Sequence, residues 1–315
     1  MGVTSDIAGA DGRLAYDLSP LDGQVEWEVM SGHGEELTPD DVAPYDAIVL
    51  FKPQITRATL AGERVPRLIA RLGVGVDNID VPACTERGVI VTITPDSVRR
   101  PVAAGTMAFV LSLAHRLPEM DRHMHEGGYD RFAHVGRGLR GSVLGIVGIG
   151  NVGRELVELA RPFGFRIVAA DPYAQPLDGV ELVALDELLA ASEFVVVLCP
   201  LTDETRGLID ARRLALMRPD AFLVNVARGP IVDQAALTKA LRERRIAGAA
   251  LDVFEHEPLA PDDPLRSLDN VILAPHAVAL TDEIFRDGAL SVVRSVLAVA
   301  AGERPEFVLN PEALR

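Results

Sequence analysis

The 315-residue chain lacks the features of a secreted, membrane-spanning or disulfide-bonded protein. It has only two cysteines, Cys84 and Cys199, which are far apart in apolar surroundings and predict reduced, buried thiols rather than a disulfide or a metal site. No apolar run approaches the about 18 residues needed to span a bilayer, and the N-terminus has no basic and then apolar signal pattern. These absences predict a cytoplasmic protein without a membrane partner.

Basic side chains are also in the minority. The chain has 31 Lys and Arg against 46 Asp and Glu, which gives a formal net charge of −15. An acidic surface repels polyanions, so the charge argues against nucleic acid or an anionic membrane as a partner. The length is sufficient for two domains with well-filled cores, and there is no solenoid repeat or low-complexity segment.

Short apolar strands and helical segments alternate in two groups along the chain. The predicted strands are 47–51, 67–72 and 89–92 in the first group, and 143–147, 166–170, 194–198, 221–225, 248–252 and 271–273 in the second. This alternation predicts an α/β protein with two Rossmann-like or flavodoxin-like parallel-sheet domains and a cleft between them. A long apolar helix over 102–125 is predicted between the groups, either as a core helix or as an interdomain or dimer contact.

The most specific motif is a glycine-rich turn between a strand and a helix. Gly148, Gly150 and Gly153 follow the strand 143–147, and Asp171 closes the next strand, 18 residues after Gly153. Such glycines permit a tight turn, close approach of the backbone to a pyrophosphate, and close packing of the helix on the strand. An acid at about this distance accepts hydrogen bonds from an adenosine ribose and repels a 2′-phosphate, so the motif predicts NAD as the cofactor.

The last predicted helix, 288–301, can return to the first group of strands and make that domain discontinuous. We therefore expect residues 1–98 plus 288–315 to form a substrate (catalytic) domain. Residues 99–287 are expected to form the NAD-binding Rossmann domain.

Three further segments place charged side chains just after predicted strands, where parallel sheets present their ligands. They are 224–233 with Arg228, 250–258 with Glu257, and 274–277 with His276. Each segment alone is uninformative, because an arginine or a histidine after a strand is usually an ordinary surface or packed residue. Their order and spacing together carry the signal.

With these motifs in this order, the sequence resembles the D-isomer-specific 2-hydroxyacid dehydrogenase family over nearly the whole chain. The matching segments are 73–80, 138–141, 148–153, 200–205, 226–233, 251–254, 257–258 and 275–276. The resemblance implies an NAD-dependent oxidoreductase that interconverts a D-2-hydroxy acid and its 2-oxo acid by hydride transfer. It also implies a homodimer joined through the nucleotide-binding domain.

The resemblance implies a catalytic set of Arg228, Glu257 and His276. The guanidinium of Arg228 can bind the substrate carboxylate and polarise the carbonyl. His276 can give and accept the proton as general acid and base, and Glu257 would stabilise the imidazolium. His256, next to Glu257, is a competing candidate for the proton donor.

The resemblance also implies contacts to substrate and cofactor. The backbone of Val74 and Gly75 would hold the substrate carboxylate, which their glycine-rich surroundings make feasible for an anion. The implied cofactor contacts are Asn151 and Val152 at the pyrophosphate, Cys199, Pro200 and Thr205 on the adenine side, Ala227 and Asp252 at the nicotinamide carboxamide, and Val226.

The chain departs from many relatives where the substrate side chain would be bound. These relatives have an asparagine and a Val-Ala-Glu sequence at the start of the long helix, whereas this chain has Val98 and the Val-Ala-Ala of 102–104. Arg99 and Arg100 stand in the same stretch, and Lys52 follows the strand 47–51 at a loop position that often faces substrate in the family. These cations are either ordinary surface charges or ligands of a second anionic group on the substrate.

Other functions of the same fold remain open at this point. Residues 83–88 and 95–96 resemble phosphite dehydrogenase, but that branch has a lysine where Val74 aligns, and the formate-oxidising branch lacks the Glu257–His276 pairing. A different class of function is an NAD(H)-responsive co-regulator or interaction module, which the compact length disfavours. We interpret His123 and His125 as solvated histidines rather than a metal pair.

Overall fold

The structure is a computed structural model that describes residues 1–8 and 12–314. The chain divides into two compact units, Met1–Val98 with Leu280–Arg315, and Arg99–Ala279. The predicted α/β class with two parallel-sheet domains is confirmed. The second division lies at 279/280 instead of 287/288, because the last helix begins at Asp282 with Thr281 as its N-cap, earlier than the sequence suggested.

The described part of the first unit contains a five-stranded parallel sheet. Its strands are β1 (Gly2–Val3), β2 (Glu28–Val29), β3 (Ala47–Leu50), β4 (Leu68–Arg71) and β5 (Ile90–Thr92). Their spatial order is β2-β1-β3-β4-β5, the flavodoxin-like order, which reverses direction between β1 and β3. The helices of this unit are α1 (Pro39–Val42), α2 (Val81–Glu86) and α9 (Asp282–Ala300).

The described part of the second unit contains a seven-stranded parallel sheet. Its strands are β6 (Val143–Val147), β7 (Arg166–Ala170), β8 (Val180–Leu182), β9 (Phe194–Val197), β10 (Phe222–Asn225), β11 (Gly248–Leu251) and β12 (Val271–Leu273). Their order, β12-β11-β10-β9-β6-β7-β8, is that of a dinucleotide-binding sheet with one added strand, and it reverses between β6 and β9. Every residue of β6, β9 and β11 is buried, which explains their continuous apolar sequences.

Along the chain, the remaining helices precede the strands of this second sheet or lie between them. They are α3 (Pro95–His115), which crosses the division between the units, α4 (Leu117–His125), α5 (Asn151–Ala160), α6 (Leu185–Ala191), α7 (Ala211–Leu214) and α8 (Gln234–Arg242). None of the helices in residues 1–8 and 12–314 is both long enough and apolar enough to cross a bilayer.

The prediction of a single helix over 102–125 was wrong, because the chain forms α3 and α4 with a break between them. Arg116 adopts a left-handed conformation with φ of 55°, which cannot continue a right-handed helix. Pro118 then lies in the first turn of α4, where its missing N–H costs nothing. His123 and His125 both lie in α4.

Candidate active site

The glycine turn connects β6 to α5 at the point where the strand order of the second sheet reverses. Gly148 has a φ of 92°, and a Cβ atom there would lie 2.6 Å from the backbone nitrogen of Cys199. A Cβ atom on Gly153 would lie 2.7 Å from the carbonyl oxygen of Gly148. Gly150, in contrast, faces open space, with no described atom within 4 Å of its Cβ position. The turn therefore fits a pyrophosphate in front of the N-terminus of α5, where Asn151 and Val152 form the first turn.

Asp171 follows β7 and lies against this turn. One carboxylate oxygen accepts a hydrogen bond from the backbone N–H of Ile149 at 2.9 Å, and the other accepts one from Tyr173 at 2.9 Å. The acid is thus held beside the open side of the turn, as binding of an adenosine ribose requires.

The proposed adenine-side residues follow β9, next to the same turn. Cys199 is buried, and burial raises the pKa of its thiol to about 11, so it is not a reactive thiolate at neutral pH. The hydroxyl of Thr205 donates to the carbonyl of Pro200 at 2.6 Å and closes the turn that follows.

Arg228 follows β10 in a segment whose shape is fixed by a buried asparagine. The side chain of Asn225 accepts a hydrogen bond from Ala227 N–H at 3.1 Å and donates one to the carbonyl of Arg228 at 3.0 Å. The guanidinium of Arg228 donates to the carbonyl of Ala227 at 2.7 Å. Val226, between them, is buried.

Asp252 follows β11 and holds the segment that carries His276. Its carboxylate accepts hydrogen bonds from the N–H groups of Ala277 and Val278 at 2.8 and 3.1 Å, and its backbone carbonyl accepts one from His276 at 2.8 Å. Burial raises the pKa of Asp252 above its ordinary value, and these donors offset only part of that effect.

His276 follows β12 and is paired with Glu257. Its Nδ1 lies 2.8 Å from Glu257 Oε2, and Glu257 Oε1 accepts a hydrogen bond from the N–H of Phe254 at 3.0 Å. Burial alone would raise the pKa of Glu257, but its bond to His276, the charge of that ring, the Phe254 N–H and the charge of Arg228 together lower it. His276 has a left-handed backbone with φ of 54°, a conformation that concentrates at functional sites. His256 is exposed in the same loop, and its neighbour Glu257 pairs with His276 instead.

In the first unit, the residues proposed for substrate lie in adjacent loops after β3 and β4. The side-chain amide of Asn78 donates to the carbonyl oxygens of Phe51, Lys52 and Pro53 at 2.9 to 3.3 Å, which ties these loops together. The side chain of Lys52 is exposed, with its Nζ 5.9 Å from the ring of Phe51.

The glycine loop after β4 is held by a neighbouring arginine. Arg71 Nε donates to the carbonyl of Gly75 at 3.0 Å, and the N–H of Gly73 donates to the hydroxyl of Thr94 at 2.8 Å. Val74 in this loop is 42% exposed.

Arg100 belongs to the second unit and has an ionic partner there. Its guanidinium lies 2.7 Å from Glu155 of α5, and that of Arg99 lies 3.5 Å from the same carboxylate. A second-anion role for Arg100 would require this pair to open, which makes Lys52 the simpler candidate for that role.

The comparisons with known proteins agree with this geometry. The family model described as "D-isomer specific 2-hydroxyacid dehydrogenase, NAD binding domain" matches residues 107–278, more than half of the chain. The chain belongs to this family. Residues 107–278 of this dehydrogenase-family member therefore form its NAD-binding domain.

Individual relatives differ in how much of their length the chain covers. The chain is 39% identical over 292 residues to a D-3-phosphoglycerate dehydrogenase of Methanocaldococcus jannaschii, covering 90% of the chain but only 55% of that protein. It is 39% identical over 301 residues to a glyoxylate reductase of Thermococcus onnurineus, covering 91% of the chain and 90% of the relative. Among solved structures, the TT0316 protein of Thermus thermophilus is 31% identical, with a TM-score of 0.88 over 98% of this chain and all of that one. The chain thus spans about half the length of the phosphoglycerate dehydrogenase and nearly all of the glyoxylate reductase.

Sequence analysis did not identify several residues that shape the site of this family member. Asn225 could have been found as a polar residue that ends a buried strand, and Asn78 as an amide inside the 73–80 motif. Arg71 ends β4 and reads as an ordinary surface charge until the contact with Gly75 is seen.

Proposed function

We propose that the chain is an NAD-dependent dehydrogenase that interconverts a D-2-hydroxy acid and the corresponding 2-oxo acid. The observation that carries this proposal is the 2.8 Å contact between His276 Nδ1 and Glu257 Oε2 at the strand ends of an NAD-binding domain. A carboxylate on one ring nitrogen favours the charged form of the imidazole and leaves Nε2 to exchange a proton with a substrate oxygen. Family membership supports it further, as does the position of Arg228, Glu257 and His276 in the segments that follow three neighbouring strands.

In the direction of reduction, the glycine turn of 148–153 and Asp171 would hold the reduced cofactor, whose chemistry when bound would be hydride donation to the carbonyl carbon. Arg228 binds the carboxylate of the 2-oxo acid through its planar, permanently charged fork and draws electron density from the carbonyl oxygen. His276 transfers a proton to that oxygen as the hydroxyl forms, and it accepts the proton again in the reverse direction. Glu257 stabilises the imidazolium before the transfer, and Asp252 fixes the backbone on which His276 stands.

The names of the relatives suggest two substrate classes, a small monoanion such as glyoxylate and a phosphorylated acid. We propose that Lys52 decides between them, because its side chain is exposed and its backbone carbonyl accepts a hydrogen bond from Asn78, which follows the Val74–Gly75 loop where the substrate carboxylate would bind. If Lys52 binds a second anion, the substrate is dianionic.

A panel of 2-oxo acids tests the reaction and the substrate class together. NADH oxidation would be followed with glyoxylate, pyruvate and hydroxypyruvate, and with 3-phosphohydroxypyruvate and 2-oxoglutarate, using Arg228→Ala as the blank. The Lys52→Met variant would raise KM for the dianions only, while Lys239→Met, the other lysine of the chain, is the matched control. Turnover no faster than the blank on every acid would contradict the proposed activity, and NADH-dependent capture of a protein partner would then favour an interaction module.

The quaternary structure that we propose is a homodimer formed through α4 and the segment after it. Six large apolar side chains are exposed within this stretch, namely Leu117, Met120, Met124, Tyr129, Phe132 and Val135. Such a concentration marks an interface, and a second copy of the same chain is the commonest partner in soluble oligomers. The mass from light scattering should be that of a dimer and should fall to 33.8 kDa in a Met124→Ser, Phe132→Ser double variant. A wild-type mass of one chain would contradict this assembly.

A further inference from the structure

Two segments of the second unit are joined by an interlocking pair of hydrogen bonds centred on Gln234. Gln234 is the first residue of α8, and Glu255 lies in the loop after β11. The N–H of Gln234 donates to the Glu255 carboxylate at 3.0 Å, and the N–H of Glu255 donates to the side-chain oxygen of Gln234 at 3.0 Å. The side-chain nitrogen of Gln234 donates to Asp263 at 3.0 Å. One side chain therefore contacts the loop at two places, on either side of Glu257.

The backbones of the same two segments are in direct contact beside this bridge. A Cβ atom on Gly229 would lie 1.9 Å from the carbonyl carbon of Phe254 and 2.5 Å from the nitrogen of Glu255. Gly229 directly follows Arg228, so the arginine segment lies against the loop that carries Glu257. The contact between the two segments therefore sets the position of Arg228 relative to Glu257.

The bridge reaches the proposed proton donor through consecutive backbone groups. Glu255 N–H bonds to Gln234, and the preceding N–H, that of Phe254, bonds to Glu257 Oε1. The other oxygen of Glu257 is the one that contacts His276. A shift of the loop at Glu255 would therefore move the carboxylate relative to the imidazole.

We propose that Gln234 is a positioning residue for the acid–base pair. It contacts none of the three proposed catalytic side chains, and it acts by holding the 254–263 loop so that Glu257 meets His276. An amide is required at this position, because the same side chain accepts from Glu255 N–H and donates to the Asp263 carboxylate. This inference rests on the proposed function, in which the Glu257–His276 pair transfers the proton.

The first test compares pH profiles of kcat/KM for 2-oxo acid reduction in Gln234→Ala, Glu257→Gln and the double variant. We expect Gln234→Ala to lower kcat/KM about tenfold near neutral pH and to move the alkaline limit in the same direction as Glu257→Gln. In the double variant the second change should add no further shift, because both act on one contact. A uniform loss without a shift of the limit, or additive effects, would overturn the proposal.

A charge rearrangement distinguishes positioning from general loss of structure. Gln234→Glu places a carboxylate against Asp263 and should resemble Gln234→Ala, whereas combining it with Asp263→Asn restores one donor and one acceptor and should recover the wild-type profile. Gln175→Ala, at an exposed position of the same unit, is the control and should change nothing. Failure of the paired change to recover the profile while both proteins are folded would contradict the role.

A measurement without turnover separates this inference from the proposed function. The side-chain carboxyl carbon of Glu257 can be followed by NMR during a pH titration and assigned by comparison with Glu257→Gln. Contact with His276 lowers the pKa of Glu257, so Gln234→Ala should move its titration midpoint to higher pH even if no tested acid is a substrate. An unchanged midpoint would overturn the positioning role, whereas absent turnover with a shifted midpoint would contradict only the proposed reaction.

Discussion

The two edges of the seven-stranded sheet use the same kinds of charged residue in different ways. At the amino ends of the strands, Arg137, Glu193, Arg218 and Asp220 form a network in which each acid contacts both arginines. At the carboxyl ends, Glu257 contacts one ring nitrogen of His276, and the side chains remain 37% and 47% exposed. In the first arrangement each charged side chain has two ionic partners. In the second, one ring nitrogen and one face of the His276 ring are left open to a ligand.

The comparison indicates that the number of ionic partners, more than the residue type, distinguishes a charged side chain with a structural role from one with a chemical role. The guanidinium of Arg218 and that of Arg137 bind the same two carboxylates, which lowers the pKa of Asp220 far below its ordinary value. At the other edge, the pKa of Glu257 is lowered as well, although burial opposes the shift. Substitutions at the carboxyl edge should therefore change rate and pH dependence, and substitutions at the amino edge should change stability.

The largest effect is expected at His276. His276→Gln should lower kcat about 10³-fold, because the proton must then come from water instead of a positioned acid. The midpoint of thermal unfolding should stay near that of the wild type, since the ring is half exposed. A loss of less than tenfold would remove His276 as the proton donor and direct attention to His256.

Arg228→Lys should have the next largest effect, a fall in kcat/KM of about 100-fold. A lysine keeps the charge but loses the planar fork, and a charge-assisted hydrogen bond contributes about 1.5–3 kcal/mol. Steady-state kinetics with the preferred 2-oxo acid would measure it, with Arg242→Lys on the exposed face of α8 as the control. Equal kinetics in the two variants would show that Arg228 makes no bidentate contact with substrate.

Glu257→Gln should lower kcat/KM about tenfold at neutral pH and less at acidic pH. The imidazolium loses its anionic partner, so the alkaline limit of reduction moves to lower pH, while at low pH the ring remains protonated without help. The pH profile of kcat/KM measures this shift. A profile that coincides with the wild type would contradict the stabilising role.

Asp220→Asn should leave kcat and KM unchanged and lower the free energy of unfolding by about 1 kcal/mol. Because the folded-state pKa of Asp220 is lowered, its contribution is complete above the ordinary pKa of an aspartate and is lost as the pH falls toward the folded-state value. Urea unfolding at pH 7 and in acid would show the difference between the proteins shrinking in acid. Asp178→Asn, whose carboxylate is fully exposed, is the control. A kinetic defect in Asp220→Asn would contradict the conclusion that the amino edge has a structural role and the carboxyl edge a chemical one.

The sequence was most informative where burial dictates the residue type. Fully buried parallel strands must be continuous apolar runs, so β6, β9 and β11 were predicted to within one residue at each end. The two-residue strands β1 and β2 are too short to show any pattern, and they were missed. Arginine is an ordinary helix residue, so nothing in its type indicates the left-handed backbone at Arg116, but Pro118 is a signal for a break just before it and was overlooked.

For the site, the sequence located the strand ends but not the contacts between them. Arg228, Glu257 and His276 were placed after successive strands, yet their grouping came from the family resemblance, because a contact across 19 residues of sequence leaves no local signal. The pair between Arg100 and Glu155 spans 55 residues, and the bridge from Gln234 to Glu255 spans 21. Such contacts depend on which loops the sheet order brings together, and that order is a tertiary property.

The network at the amino ends of the strands also contributes to the position of the glycine turn at their carboxyl ends. Glu193 accepts a hydrogen bond from the N–H of Val143 at 2.7 Å, so the first residue of β6 is fastened to the residue that precedes β9. These two strands flank the glycine turn, and a slip of one residue between them would reverse every inward and outward side chain and separate Gly148 from Cys199. A designer who transplants the nucleotide site into another scaffold would therefore have to preserve the register of β6 against β9, to which this glutamate contributes, together with the glycines.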